Sequence, residues 1–197
     1  MPKFHEFEVS LLHIKPRIWR RFLIAGAATF RHLHEAIQDA GGWENYHLHE
    51  FFRSSKRGER DPIAGIPDDT GISDVPIPDG AKTKLAAFFK DEEVRKCFYE
   101  YDFGDSWLLE IRWIRTHDLP EKFRRRLLDG KRAFPPEDCG GVWGYEECVA
   151  AAVYRDDPAS APDDITDEEL EERLEWLGDE WDPEGFDLGA AKRAFDR

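Results

Sequence analysis

The order of regular elements in the first fifty or so residues constrains the fold more than any other feature of this chain. Over residues 4–13, Phe7, Val9 and Leu11 alternate with Glu6, Glu8 and Ser10, the period-two pattern of a strand with one buried face. Lys15-Pro16 interrupts it, and the apolar, aromatic run over 18–25 predicts a second strand. Thr29 then stands where a helix N-cap is expected. Phe30, Leu33, Ala36 and Ile37 form the apolar stripe of that helix, and Gly41-Gly42 ends it. Residues 47–53 return to an extended pattern. Strand, strand, helix, strand is how a β-grasp fold begins, although other α+β folds share the order.

The rest of the chain extends this plan. Residues 54–82 are rich in Gly, Pro, Asp and Arg, and Pro62, Pro67, Pro76 and Pro78 predict an irregular excursion. A short helix is expected near Leu85, Phe88 and Phe89. Two strands follow, over 95–101 and 107–115, joined by the tight turn Asp102-Phe103-Gly104-Asp105-Ser106. Beyond residue 135 the chain reads as helical, with a capping box at Thr166-Asp167-Glu168-Glu169 and a stop at Gly178. The expected architecture is α+β. A mixed or antiparallel sheet with a β-grasp-like start and two further strands makes up a body over 1–134, and a helical tail occupies 135–197 of the same domain.

Charge separates these two parts. The net charge is −14, yet residues 135–197 alone carry five Lys or Arg against twenty Asp or Glu. That tail repels phosphate backbones and anionic lipid, so a nucleic-acid role has to fall on the N-terminal part. The longest apolar stretches, Phe22 to Ala28 and Cys148 to Tyr154, are far shorter than the ~20 residues of a membrane span. No membrane partner is expected. Three Cys without a Cys-x-x-Cys pair argue against a disulfide framework or zinc ribbon and suit the cytoplasm.

Five segments carry most of the distinctive residues: Ile14-Lys15-Pro16-Arg17-Ile18-Trp19-Arg20-Arg21; His47-Leu48-His49-Glu50-Phe51; Tyr101-Asp102-Phe103-Gly104-Asp105-Ser106-Trp107; Pro135-Pro136-Glu137-Asp138-Cys139-Gly140-Gly141; and Trp176-Leu177-Gly178 with Asp182-Pro183 and Phe186-Asp187. In this order and spacing the chain resembles the plasmid pRiA4b ORF-3-like family over most of its length. The resemblance implies a single α+β domain, found in proteins of plasmids, mobile elements and chromosomes, and no settled biochemical activity. Related sequences commonly carry a His where Leu109 stands and Cys near the positions of Leu127, Leu128 and Phe134. A family His/Cys metal site would therefore lack several soft ligands here.

The chemistry-bearing residues admit several readings. On a strand, His47 and His49 share a face about 7 Å apart and can converge on a divalent metal with Asp102 and Glu137, while Asp105, Asp138 and Cys139 can supply further ligands. The alternative is structural, with histidines bonded to loops and turn carboxylates capping backbone amides. Cys139, before a helix, is a candidate nucleophile, though Glu137 and Asp138 beside it oppose the thiolate. Tyr101, Phe103 and Trp107 read as a core lid. Arg17, Trp19, Arg20 and Arg21 can contact phosphates and stack a base, or the arginines can pair with the acidic tail; Arg124, Arg125, Arg126, Lys131 and Arg132 form a second basic cluster. The phosphate-binding loop, kinase, esterase-elbow and zincin signatures are all missing from the sequence. The leading expectation is thus a binding or adaptor protein of a still unidentified partner protein, linked to mobile elements and needing no cofactor. The alternatives are a metal-dependent hydrolase or nuclease, and a single-stranded nucleic-acid binder.

Overall fold

The computed structural model describes residues 1–54, 58–67, 76–90, 93–178 and 180–196. Residues 55–57 and 68–75 of the predicted excursion lie outside the described residues.

The opening hairpin forms as its alternation requires. Strand β1 (Lys3–Leu11) pairs antiparallel with β2 (Trp19–Ala25), bringing Phe7 opposite Phe22. Helix α1 (Phe30–Gly41) is capped through Thr29, whose backbone N–H donates to His32 Nδ1 at 3.1 Å, and it ends at Gly42 in the left-handed conformation. Then come β3 (His49–Ser54), β4 (Arg60–Gly65), the single helical turn α2 (Leu85–Phe88), β5 (Lys96–Tyr101), β6 (Trp107–Asp118) and β7 (Arg125–Lys131). Helices α3 (Gly141–Asp156), α4 (Asp167–Leu177) and α5 (Leu188–Phe195) complete the order.

The seven strands make one sheet in the order β4-β3-β5-β6-β1-β2-β7, and every strand pair is antiparallel. The opening has the element order of a β-grasp but not its pairing. Strand β3 lies between β4 and β5, separated from the first hairpin by β5 and β6, and four further strands follow rather than two. The two strands absent from the sequence reading are the two edges. Pro62 sits in edge strand β4, where a missing N–H need not break a ladder. Strand β7 is mostly charged, and only its pairing with β2, which sets Leu127 opposite Phe22, reveals it as a strand.

One face of the sheet carries the core. Phe7, Val9, Phe22, Phe51, Tyr99, Trp107, Leu109 and Ile111 pack with Leu33, Ala36 and Ile37 of α1 in one hydrophobic cluster that also takes in Tyr145 and Cys148 of α3 and Phe195 of α5. Helix α5 covers the β7 edge: Arg125 Nε donates to the Phe195 carbonyl at 2.9 Å, and Leu127 N donates to Asp196 Oδ1 at 2.8 Å. The opposite face is a ladder of ion pairs. Glu8 accepts from Arg17 and Arg21, Glu6 accepts from Arg115 at 3.0 Å, and Arg60 bridges Glu50 and Glu100, which face each other across β3 and β5. The predicted capping box of α4 is present, with Thr166 N donating to Glu169 Oε2 at 2.8 Å. Among the described residues no helix is long and apolar enough to cross a membrane.

Candidate functional site

Three loops meet at one corner of the sheet: the approach to β3, the β5–β6 turn, and the Pro-Pro-Glu-Asp-Cys-Gly-Gly loop before α3. Backbone and side-chain hydrogen bonds hold them together. Asp102 N donates to the Leu48 carbonyl at 3.0 Å, and Gly140 N donates to Asp105 Oδ2 at 3.0 Å. The Tyr101 hydroxyl donates to Glu137 and accepts from Tyr46 N at 3.1 Å, while Glu137 Oε2 also accepts from Glu44 N at 2.5 Å. Trp43 stacks on Tyr101 with centroids 5.0 Å apart, and its indole donates to the Pro135 carbonyl at 2.9 Å. Burial, reinforced by Glu137, raises the Tyr101 hydroxyl pKa and keeps it protonated.

Close approach explains the glycines of this loop. A Cβ on Gly141, whose φ is +69°, would lie 2.6 Å from the Asp105 carbonyl oxygen, and one on Gly144 would lie 1.7 Å from that of Cys139. Asn45, Asp102, Ser106 and Asp138 also adopt positive φ, four of the six non-glycine residues that do so among the described residues. Backbone held in such conformations collects where the surrounding structure overdetermines it, as at binding sites.

Within this frame His47, Asp102 and Asp138 point a ring nitrogen and two carboxylate oxygens at one another, all within 4.8 Å. His47 Nε2 lies 2.8 Å from Asp138 Oδ1 and 3.6 Å from Asp102 Oδ2. The shorter contact lacks hydrogen-bond alignment, so Nε2 is shielded from water yet unpartnered. Asp102 is doubly used: Oδ1 accepts from Gly104 N at 3.0 Å, as a turn aspartate does, and Oδ2 faces His47.

This set differs from the predicted one. His49 and Glu137 are not part of it, and Asp138, expected only as a further ligand, is. Strand β3 begins only at His49, so the alternation that would put His47 and His49 on one face does not reach His47. His49 turns inward and stacks on His34, with ring centroids 3.6 Å apart at 6°. His34 in turn lies within 2.7 Å of both the Tyr99 hydroxyl and Asn45 Oδ1. Burial pushes His34 down to about 4, and burial followed by the His34 charge pushes His49 to about 3. Both rings are neutral at neutral pH. His34 was absent from the predicted sites, although with Phe30, Leu33 and Ile37 it completes an i, i+3, i+4, i+7 stripe that would have placed it on the buried face.

The other candidates have settled roles. Cys139 is buried, and a hydrogen bond with Cys148 together with burial holds it as the protonated thiol, contrary to an activated nucleophile. Trp107 is 1% exposed in the core. Strand alternation splits the basic cluster. Arg20 points inward, donating to the carbonyls of Ala40 at 3.0 Å, Trp19 at 2.9 Å and Lys131 at 3.0 Å and lying 3.9 Å above Phe186. Arg17 and Arg21 flank Trp19 and pair with Glu8 on the β1 strand, not with the tail. In the second cluster Arg125 pairs with Asp39, and Arg132 donates to Glu184 at 2.7 Å.

Three of the segments that made the chain distinctive are thus the ones that meet at the corner. The sequence profile of plasmid pRiA4b ORF-3-like proteins matches residues 3–190. The chain belongs to that family. An uncharacterized protein, y4hQ of Sinorhizobium fredii (strain NBRC 101917 / NGR234), is 37% identical over 172 residues, which is 87% of this chain and 79% of that protein. The crystal structure of a protein of unknown function, MM3350 from Methanosarcina mazei Go1, aligns with a TM-score of 0.77 at 37% identity and 95% coverage of both chains. The family's tail motif also reaches this end of the sheet, since Phe186 lies under Arg20 and Ala133 N donates to the Pro183 carbonyl at 3.1 Å.

Proposed function

We propose that this member of the family is a binding or adaptor protein that grips a partner protein with the corner where the three loops meet. The observation that carries the reading is a collar of exposed apolar side chains on those loops: Tyr46 is 72% exposed, Leu48 55%, Phe103 49% and Trp143, in the first turn of α3, 82%. Large rings kept in water on loops that are hydrogen bonded to one another lose little freedom when a partner covers them, which is how aromatic anchors contribute most to an interface. Free thiols at Cys97, Cys139 and Cys148 support placing the protein in a reducing cytoplasm. The test is capture from native lysate. A protein retained by the wild type and released by Phe103→Ser and Trp143→Ser, with thermal midpoints unchanged, supports the reading. An identical retained set for all three proteins refutes it.

A second reading is favoured by the His47, Asp102 and Asp138 geometry. Ligand atoms around one divalent ion at bond lengths of about 2.0–2.2 Å sit roughly 3–4 Å apart, close to the spacing found here, and three protein ligands leave room for water. Such an ion would supply a Lewis acid at the collar and open the way to hydrolysis. Titration with Zn²⁺ and Mn²⁺ decides it. Stoichiometric binding lost in both His47→Ala and Asp138→Asn is expected, and binding indifferent to both substitutions removes the site.

A further inference from the structure

A hollow lies at the other end of β6, well away from the collar. It has a volume of about 700 Å³ and is lined by Phe4, His5, Phe89, Trp113 and Phe123, with Ala86 of α2 and Gly26 closing its side. That size falls within the range of small-molecule sites. Lys3, Lys90 and Lys122 stand around it, and no Asp or Glu lines it among the described residues. In a chain of net charge −14 a hollow that carries three ammonium groups and no carboxylate among the described residues is a local reversal of sign.

Two of its lining side chains carry a ring nitrogen that is shielded from water and has no partner. Trp113 Nε1 and His5 Nε2 belong to side chains that are 9% and 6% exposed, and neither atom makes a hydrogen bond. The two rings meet edge to face, with centroids 6.1 Å apart. An indole N–H can only donate, so whatever satisfies it must accept. Burial lowers the His5 pKa, which keeps its ring neutral beside the lysines.

We propose that this hollow binds a small amphipathic monocarboxylate, its hydrocarbon body against Phe4, Phe89, Trp113 and Phe123 and its carboxylate held by the lysines. The charge pattern selects an anion, and the aromatic floor selects an apolar body.

The experiment is a titration of the ¹⁵N-labelled full chain with sodium octanoate, using 1-octanol as the uncharged control. Seven Trp give seven indole signals, and the signal missing in Trp113→Phe identifies the reporter. Saturable octanoate binding that moves the Trp113 signal is expected, with octanol weaker by about tenfold or more and the Lys90→Glu, Lys122→Glu double variant weakened similarly. Ala86 is exposed on α2, so Ala86→Phe fills the hollow without disturbing the core and should abolish binding. Equal affinity for octanol, a Trp113 signal unmoved at saturation, octanoate binding untouched by Ala86→Phe, or no binding at all overturns the proposal.

Discussion

Acidifying this protein from about pH 7.5 to about pH 5.0 should remove roughly 4 kcal/mol of folding stability through the stacked pair His34 and His49, by linkage of proton uptake to unfolding. Native His34 and His49 are held near 4 and near 3, whereas an unfolded histidine titrates near 6.5. Because the native values are depressed, the unfolded chain takes up protons first as the pH falls below about 6.5. Stability is therefore complete above that pH, declines through the interval, and levels off once the native rings also protonate. At about pH 5.0 each unfolded histidine lies about 1.5 units below its midpoint, and at 1.36 kcal/mol per unit that is about 2 kcal/mol per ring. His5, also pushed down by burial, adds in the same direction. Carboxylates act in a different window. Glu6 bears a burial penalty that hydrogen bonds from His117 and Arg115 outweigh, and Glu8 is held down likewise by Arg17 and Arg21, so their contributions fade only below the usual 4.5. The assay is urea denaturation at both pH values, where 4 kcal/mol lowers the midpoint by roughly 1.5 M for a slope of about 2–3 kcal/mol per M. His34→Leu loses the bonds to Tyr99 and Asn45 at every pH, so the quantity to read is the difference between the two pH values, which should fall to about 2 kcal/mol. A wild-type difference under about 1 kcal/mol, or one unchanged by His34→Leu, refutes the reasoning.

Gly144→Ala should lower stability by about 2–4 kcal/mol, because its Cβ would lie 1.7 Å from a backbone oxygen, whereas Gly42→Ala, in open space at φ +78°, should cost about 1 kcal/mol; thermal midpoints compare them. Tyr101→Phe removes the hydroxyl joining Glu137 to Tyr46 N and should cost about 1–2 kcal/mol, with faster amide exchange at Tyr46 read by NMR. Glu8→Gln frees Arg17 and Arg21 beside Trp19 and should cost no more than about 1 kcal/mol, since the two arginine side chains are 51% and 40% exposed and solvent screens both pairs. The same variant should gain salt-sensitive retention of single-stranded oligonucleotides relative to wild type, and equal retention by both would show that Glu8 does not mask these cations.

What the sequence determined by itself was whatever depends on neighbours a few residues apart. The alternation of Phe7, Val9 and Leu11 makes β1 whatever surrounds it, Thr29 and Gly42 bound α1, and Thr166 with Glu169 closes the capping box of α4 through a local bond. The five distinctive segments were likewise readable as a motif set, although which of them meet was not. The tertiary structure decided what depends on distant partners. Strand β7 looks like a basic cluster until β2 supplies its ladder, and β4 with its Pro62 is a strand only because it lies at an edge. Arg20 and Arg21 are adjacent in the chain, yet one lies buried over Phe186 and the other pairs with Glu8, because a pleated strand sends consecutive side chains to opposite faces and only the packing says which face is covered. A different reason divides His47 from His49: β3 begins only at His49, two residues later than the sequence suggests, so the ring inside the strand packs into the core against His34 while the one before it is left with Asp102 and Asp138.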